Sequence, residues 1–181
     1  MYYLGLDVGS SSVKAALVEA KSGKSIQSVN EPKNEMSISS LKNDWAEQDP
    51  NVWWKYTCTA IKRVCKESNI DPKKIISIGI SYQMHGLVIV DKNGEPLRDS
   101  IIWCDSRAVN IGNDAYKKLG EDKCMTHLLN SPGNFTASKL KWVKENEPEV
   151  YEKTYKYMLP GDFIAYKLTG EINTTRNGLS E

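Results

Sequence analysis

Residues 2–30 read YYLGLDVGSSSVKAALVEAKSGKSIQSVN, and the fold is decided in this stretch. Tyr2 to Val8 and Ser12 to Glu19 are β-rich runs on either side of Gly9-Ser10-Ser11, and Ser22-Gly23 punctuates the passage to a third run, Ser25 to Asn30. Such short connections predict an antiparallel meander. The first turn also carries chemistry. Asp7 places a carboxylate at a strand end, and Gly9 lets the backbone turn and approach a ligand closely. Ser10, Ser11 and Ser12 offer hydroxyls and turn N–H groups to an anion, and Lys14 adds a cation on the returning strand. These parts suit nucleotide phosphates, with Asp7 reaching Mg²⁺ through water, because magnesium keeps several waters and takes only one or two protein carboxylates. The same residues also make an ordinary hairpin turn, where Gly, Ser and Asp are common. On this stretch alone both readings stand. The Walker A spacing G-x-x-x-x-G-K-[ST] is absent.

Working outward, a polar loop (Glu31 to Gln48) precedes Asp49, which is a helix cap, and Pro50, which opens the helix without losing a useful donor. Val52, Trp53, Tyr56, Ile61, Val64 and Cys65 keep helical spacing to about Ser68, so Trp53-Trp54 belongs to the core. Ile75 to Ser81 (IISIGIS) is β-branched and uncharged, which predicts a central strand buried on both faces. Leu87 to Asp91, the turn Lys92-Asn93-Gly94-Glu95 and Pro96 to Trp103 predict a hairpin. Helices are expected over Ala108 to Lys118, Lys123 to Leu129, Thr136 to Asn146, Glu147 to Thr154 and Phe163 to Leu168, the last ended by Thr169-Gly170. The order is that of an α/β fold with a mixed central sheet flanked by helices, of ribonuclease H-like type. It is not the alternating βαβ order of a dinucleotide-binding domain.

The chain has 181 residues, 40% hydrophobic and 26% charged, enough for one ordinary domain. Its 24 Lys+Arg against 23 Asp+Glu form no basic stripe, so nucleic acid is not an expected partner. The segment MYYLGLDVGS lacks a basic leader, and no apolar run reaches membrane-spanning length, so a cytoplasmic protein without a membrane partner is expected. Cys58, Cys65, Cys104 and Cys124 are scattered, with no CxxC pair, and read as reduced packing residues. The glycosylation-like triplets at Asn134 and Asn173 are discounted as chance matches. No G-x-G-x-x-G follows a strand, which disfavours a dehydrogenase.

Three further motifs join the first turn: Trp45-Ala46-Glu47-Gln48-Asp49-Pro50, Gln83-Met84-His85-Gly86 and Trp103-Cys104-Asp105-Ser106-Arg107. In this order and spacing the chain resembles the FGGY carbohydrate kinases, and among them the xylulose-phosphorylating members. The likeness runs from Met1 to Glu181 and includes Ser131 to Leu140 and Leu159-Pro160-Gly161-Asp162. The resemblance implies an actin/hexokinase-like ATPase fold, with residues 1–181 as the N-terminal domain. It implies ATP and Mg²⁺ as cofactors, with Asp7, Gly9, Ser10, Ser11, Ser12 and Lys14 facing the phosphates and Asp7 the metal. It places Gln83, Met84 and His85 against D-xylulose, with Trp103 walling the sugar and Asp105 as a further contact.

A neutral imidazole can donate to and accept from neighbouring sugar hydroxyls. A packed, backbone-bonded histidine is the ordinary alternative for His85, and a structural ion pair is the alternative for Asp105 and Arg107. Tyr82 and Cys104 depart from residues common in the family, Gly and Asn respectively. The first could narrow the sugar pocket.

The resemblance further implies that the catalytic aspartate and the adenine pocket lie beyond Glu181. Gly161-Asp162 opens a structural helix and is not that aspartate. This chain would therefore hold no catalytic base, its partner would be its own C-terminal lobe, and the resemblance leaves room for a homodimer. Residues 174–181 keep polar loop character without a terminal cap, as in a chain that runs on. Two rivals remain: a kinase of another ketose or polyol (ribulose, fuculose or glycerol), and a non-catalytic sugar- or nucleotide-binding module.

Overall fold

The computed structural model describes residues 1–176 and 178, so of the polar stretch 174–181 residues 177 and 179–181 lie outside it. The chain divides into two compact units, residues 1–37 with 51–83 and residues 38–50 with 84–181.

In the first unit β1 (Tyr2–Val8), β2 (Val13–Glu19) and β3 (Ser25–Glu31) form the expected antiparallel meander, and β5 (Ile75–Tyr82) pairs parallel with β1. The sheet order is β3-β2-β1-β5. Alternation sorts its side chains: Leu4, Leu6, Val8, Val13, Ala15 and Leu17 are buried, whereas Tyr3, Asp7 and Lys14 are exposed. Helix α1 (Pro50–Glu67) contributes the buried stripe Trp53, Thr57, Ala60 and Val64, spaced three or four residues apart. Burial of each large apolar side chain is worth roughly 1.5–3 kcal/mol. Polar contacts tie α1 to β3: Arg63 Nη1 donates to Glu31 Oε1 (2.7 Å) and Gln27 Nε2 to Glu67 Oε2 (3.1 Å).

One expectation fails here. β5 is an edge strand, not a central one, and Ile76 and Ile78 are 49% and 42% exposed. Burial on both faces needs a neighbouring strand on each side and cover on each face. Among the described residues β5 has one strand neighbour.

The second unit is built of short strands and helices. β4 (Glu47–Gln48), inside the stretch expected to be loop, pairs antiparallel with β7 (Ser100–Ile101), and β6 (Val88–Val90) pairs with β8 (Lys156–Met158). The expected hairpin is thus only partial. Its turn forms, with Asp91 N–H on the Glu95 carbonyl, but its arms meet at isolated bridges and take their ladder partners elsewhere. The helices are α2 (Val109–Leu119), α3 (Glu121–His127), α4 (Thr136–Asn146), α5 (Pro148–Lys153) and α6 (Pro160–Thr169). α6 begins three residues earlier than expected because Pro160 fits a first helical position, and Gly170 ends it in left-handed backbone. Leu87, Ile89, Ile101 and Val143 form a buried cluster under Leu140 and Trp142.

Candidate functional site

β1 and β5 run parallel in register, pairing Asp7 with Ser81 and Val8 with Tyr82, so both chains leave the sheet at the same edge. Gln83 N–H donates to the Val8 carbonyl at 2.9 Å, which joins the residue before Gly9 to the residue after β5. The Asp7 turn and the start of the Gln83 motif are therefore neighbours at carboxyl strand ends, where ligands of open α/β sheets collect.

The turn is tight: Gly9 N–H donates to the Ser12 carbonyl (3.0 Å), and Met36 N–H anchors the Ser11 carbonyl (2.8 Å). Lys14 stands opposite Asp7 across β1 and β2, and both are exposed. Ser11, Ser12 and Lys14 line a hollow of ≈ 440 Å³ with Asn30, Lys33 and Arg63. Gln83 carries a buried side-chain amide whose Oε1 and Nε2 have no hydrogen-bond partner among the described residues. A buried amide in that condition is costly, and a hydroxyl-bearing ligand or water is what would satisfy it.

Within the second unit His85 has left-handed backbone, φ 60°, a conformation that costs a non-glycine residue about 1–2 kcal/mol. It is held from helix α4. The imidazole stacks on Phe135 with ring centroids 4.9 Å apart and planes at 19°, and Lys139 Nζ donates to the His85 carbonyl at 2.6 Å. Thr136 Oγ1 donates to the next carbonyl, Gly86 (3.3 Å). Gly86 must be glycine, since a Cβ there would sit 2.4 Å from Pro160 Cγ. Gly86 and Pro160 are thus pressed together. Met84 is 58% exposed and Trp103 46%. The Trp103 carbonyl accepts a short bond from Asn134 Nδ2, and the buried Asn134 Oδ1 has no hydrogen-bond partner among the described residues.

Trp45 to Gln48 and Ser100 to Arg107 form one assembly. Ile102 N–H donates to the Ala46 carbonyl (3.1 Å) and Ser106 N–H to the Asp44 carbonyl (2.9 Å). Asp105, 1% exposed, accepts from Ala46 N–H (2.6 Å), from Arg107 N–H (2.9 Å) and from the Arg107 guanidinium (2.7 Å at the Nη2 end). Arg107 Nη1 also reaches Glu47 at 2.7 Å, and its guanidinium carbon lies 3.7 Å from the Trp45 ring and 4.9 Å from the Trp142 ring. The ion-pair alternative for Asp105 and Arg107 is what the geometry contains. The helix that follows, α2, starts only at Val109.

Trp53 is fully buried, as a core residue should be. Cys65 and Cys124 are buried, but Cys104 is exposed and so is not a packing residue. No helix among the described residues is long and apolar enough to cross a membrane.

Asn134, Phe135 and Lys139 carry no assigned role in the sequence reading. Their signal was the motif Ser131 to Leu140, whose purpose becomes visible only when His85 lies against it.

A mixed sheet with this strand order, with a glycine-serine turn at the end of β1, defines a ribonuclease H-like domain of the actin/hexokinase-like ATPase type, the fold of sugar kinases. The chain belongs to the FGGY family of carbohydrate kinases, whose N-terminal domain model matches residues 2–181. A xylulose kinase of Staphylococcus xylosus is 35% identical over 174 residues, covering 96% of this chain and 35% of that protein. A solved xyloylose kinase from Brucella ovis superposes with a TM-score of 0.83 at 34% identity, over 94% of this chain and 35% of that one. A gluconate kinase from Lactobacillus acidophilus superposes with a TM-score of 0.81 at 28% identity, over 94% and 34% of the respective chains. The chain spans about a third of the length of the curated relatives it matches.

Proposed function

We propose that this chain is the phosphate-gripping and sugar-binding N-terminal part of a longer cytoplasmic kinase that transfers the ATP γ-phosphate to a primary hydroxyl of D-xylulose, giving D-xylulose 5-phosphate. The observation that carries the reading is the β1–β5 register, which sets the Asp7 turn beside Gln83.

In this reading the N–H groups and hydroxyls of Ser10 to Ser12 hold phosphate oxygens, and Lys14 offsets their charge. The described residues contain no cluster of three or more metal-ligating side chains, so the exposed Asp7 would share Mg²⁺ with waters and phosphate oxygens, the usual manner for this ion. Mg²⁺ would neutralise charge developing on the transferred phosphoryl group. His85 hydrogen-bonds sugar hydroxyls, with Met84 and Trp103 flanking the carbon chain. We assign Asp105 to holding Ala46 and Arg107, and so to keeping Trp103 in place. The base that takes the hydroxyl proton, and the adenine site, belong to the C-terminal lobe. Closure of that lobe would exclude water, which otherwise competes as acceptor.

A second reading changes the acceptor: likeness to both xylulose and gluconate kinases leaves another ketose, polyol or sugar acid in play. The residue assignment is tested in the full-length protein. Asp7→Ala should lower kcat about a hundredfold with little change in sugar KM. His85→Ala should raise sugar KM about threefold to tenfold with kcat nearly kept. Unchanged kinetics in both variants would refute it.

A further inference from the structure

We propose that Lys139 is a positioning residue for the sugar site, acting through the backbone of His85. The inference rests on the reading of His85 as a sugar contact. Lys139 is fully buried, an unusual place for an ammonium, and its Nζ donates to the His85 carbonyl at 2.6 Å. That carbonyl belongs to a residue in left-handed backbone, which persists only where its surroundings enforce it. Phe135, the residue just before α4, accepts from the Lys139 N–H through its carbonyl (3.2 Å), so the ring that stacks on the imidazole and the ammonium that grips the peptide are joined at the start of one helix. Ring plane and main-chain direction of His85 are therefore both set where α4 begins. Thr136 Oγ1 on the adjoining Gly86 carbonyl extends the grip by one residue. Without the ammonium the His85 peptide can rotate out of its left-handed state, carrying the imidazole away from the sugar hydroxyls.

The test compares Lys139→Met, Lys139→Gln and His85→Ala in the full-length protein, with D-xylulose and ATP varied separately and thermal melting as a check on folding. Lys139→Met should raise sugar KM about threefold to tenfold, no more than His85→Ala does, while leaving ATP KM and kcat within about threefold, since it acts only through the placement of His85. Lys139→Gln, which keeps an N–H donor, should recover part of the loss and remains informative where Lys139→Met does not fold. Adding Lys139→Met to His85→Ala should cost nothing further, because both changes remove one function. A folded Lys139→Met or Lys139→Gln protein with wild-type sugar KM, alongside a raised KM in His85→Ala, overturns the role of Lys139 and leaves the sugar site standing. Wild-type sugar KM in His85→Ala removes the sugar site itself, and with it this role.

Discussion

A residue without a side chain sets how closely α2 packs beside Asn134, the partner of the Trp103 carbonyl. Gly112 lets α2 come so close to residues 132–134 that a Cβ would lie 2.3 Å from Gly133 Cα and 2.4 Å from the Pro132 carbonyl oxygen. Both are backbone atoms that cannot swing aside. Gly112→Ala should therefore destabilise the fold by about 1–3 kcal/mol in urea unfolding, the usual cost of overpacking. It should also raise sugar KM through the displaced Asn134. A variant as stable as the wild type would show that this contact is looser than the geometry states. At this scale the sequence was legible where a residue type is its own explanation, as with Asp7, Gly9 and Lys14 around a turn. It was silent where the reason is a distant partner. A lysine amid Ala-Ser-Lys-Leu-Lys reads as helix surface, and nothing local says that Lys139 points inward to the His85 carbonyl. Gly86 and Pro160 were each legible as part of a motif, but not that the second requires the first to be glycine.

Among the elements, β4, β7 and the segment to Arg107 are bound by charge as well as by strand pairing. Arg107 is held by Asp105 and Glu47 and lies over the Trp45 and Trp142 rings, while Arg98 bonds Glu47 and reaches Glu147 at 3.0 Å. Replacing a buried ion pair by apolar residues can be neutral, but removing one partner strands a charge. Arg107→Met should thus cost about 3–5 kcal/mol in chemical unfolding. A loss too small to measure would mean the network is wet rather than buried. The Asp91 turn gives a pH-dependent counterpart. Glu95 N–H, and then Asn93 through its backbone and side chain, hold the Asp91 carboxyl below its usual 3.8. Its folded value is depressed, so its contribution is present above the usual value and fades as pH falls through it to the folded one. Asp91→Asn should flatten that part of the melting temperature's pH dependence; an unaltered profile would dismiss the turn as its source. The turn itself was readable from Asn-Gly. The ladder partners of its arms were not, because two- and three-residue strands leave no alternation to read. The isoleucine run of β5 was misjudged for a related reason: composition reports what a strand's faces tolerate, not which neighbours cover them.

For the whole molecule, the order of the longer strands and of the helices was legible from turn spacing, and the family from four motifs in register, whereas the short β4 and β8 were not. What escaped was the division into two compact units, since no linker composition marks the changes near residues 37, 50 and 83. The β5 edge, with Ile76 and Ile78 outward, gives the 181-residue chain a strand able to pair with another copy. Light scattering of the purified chain should show concentration-dependent association that Ile78→Lys reduces; association untouched by that change would place the contact elsewhere. The same chain should phosphorylate no sugar, because the proposed base and adenine site lie outside it, and measurable turnover by it would contradict that division of labour. The account as a whole turns on the acceptor. The most direct measurement is ATP-dependent ADP release by the full-length protein with D-xylulose, ribulose, fuculose, glycerol and gluconate as acceptors. D-xylulose should give a kcat/KM at least about tenfold above the rest, a margin of about 1.4 kcal/mol in transition-state binding. A higher value for any other acceptor, or turnover of none, would contradict the account.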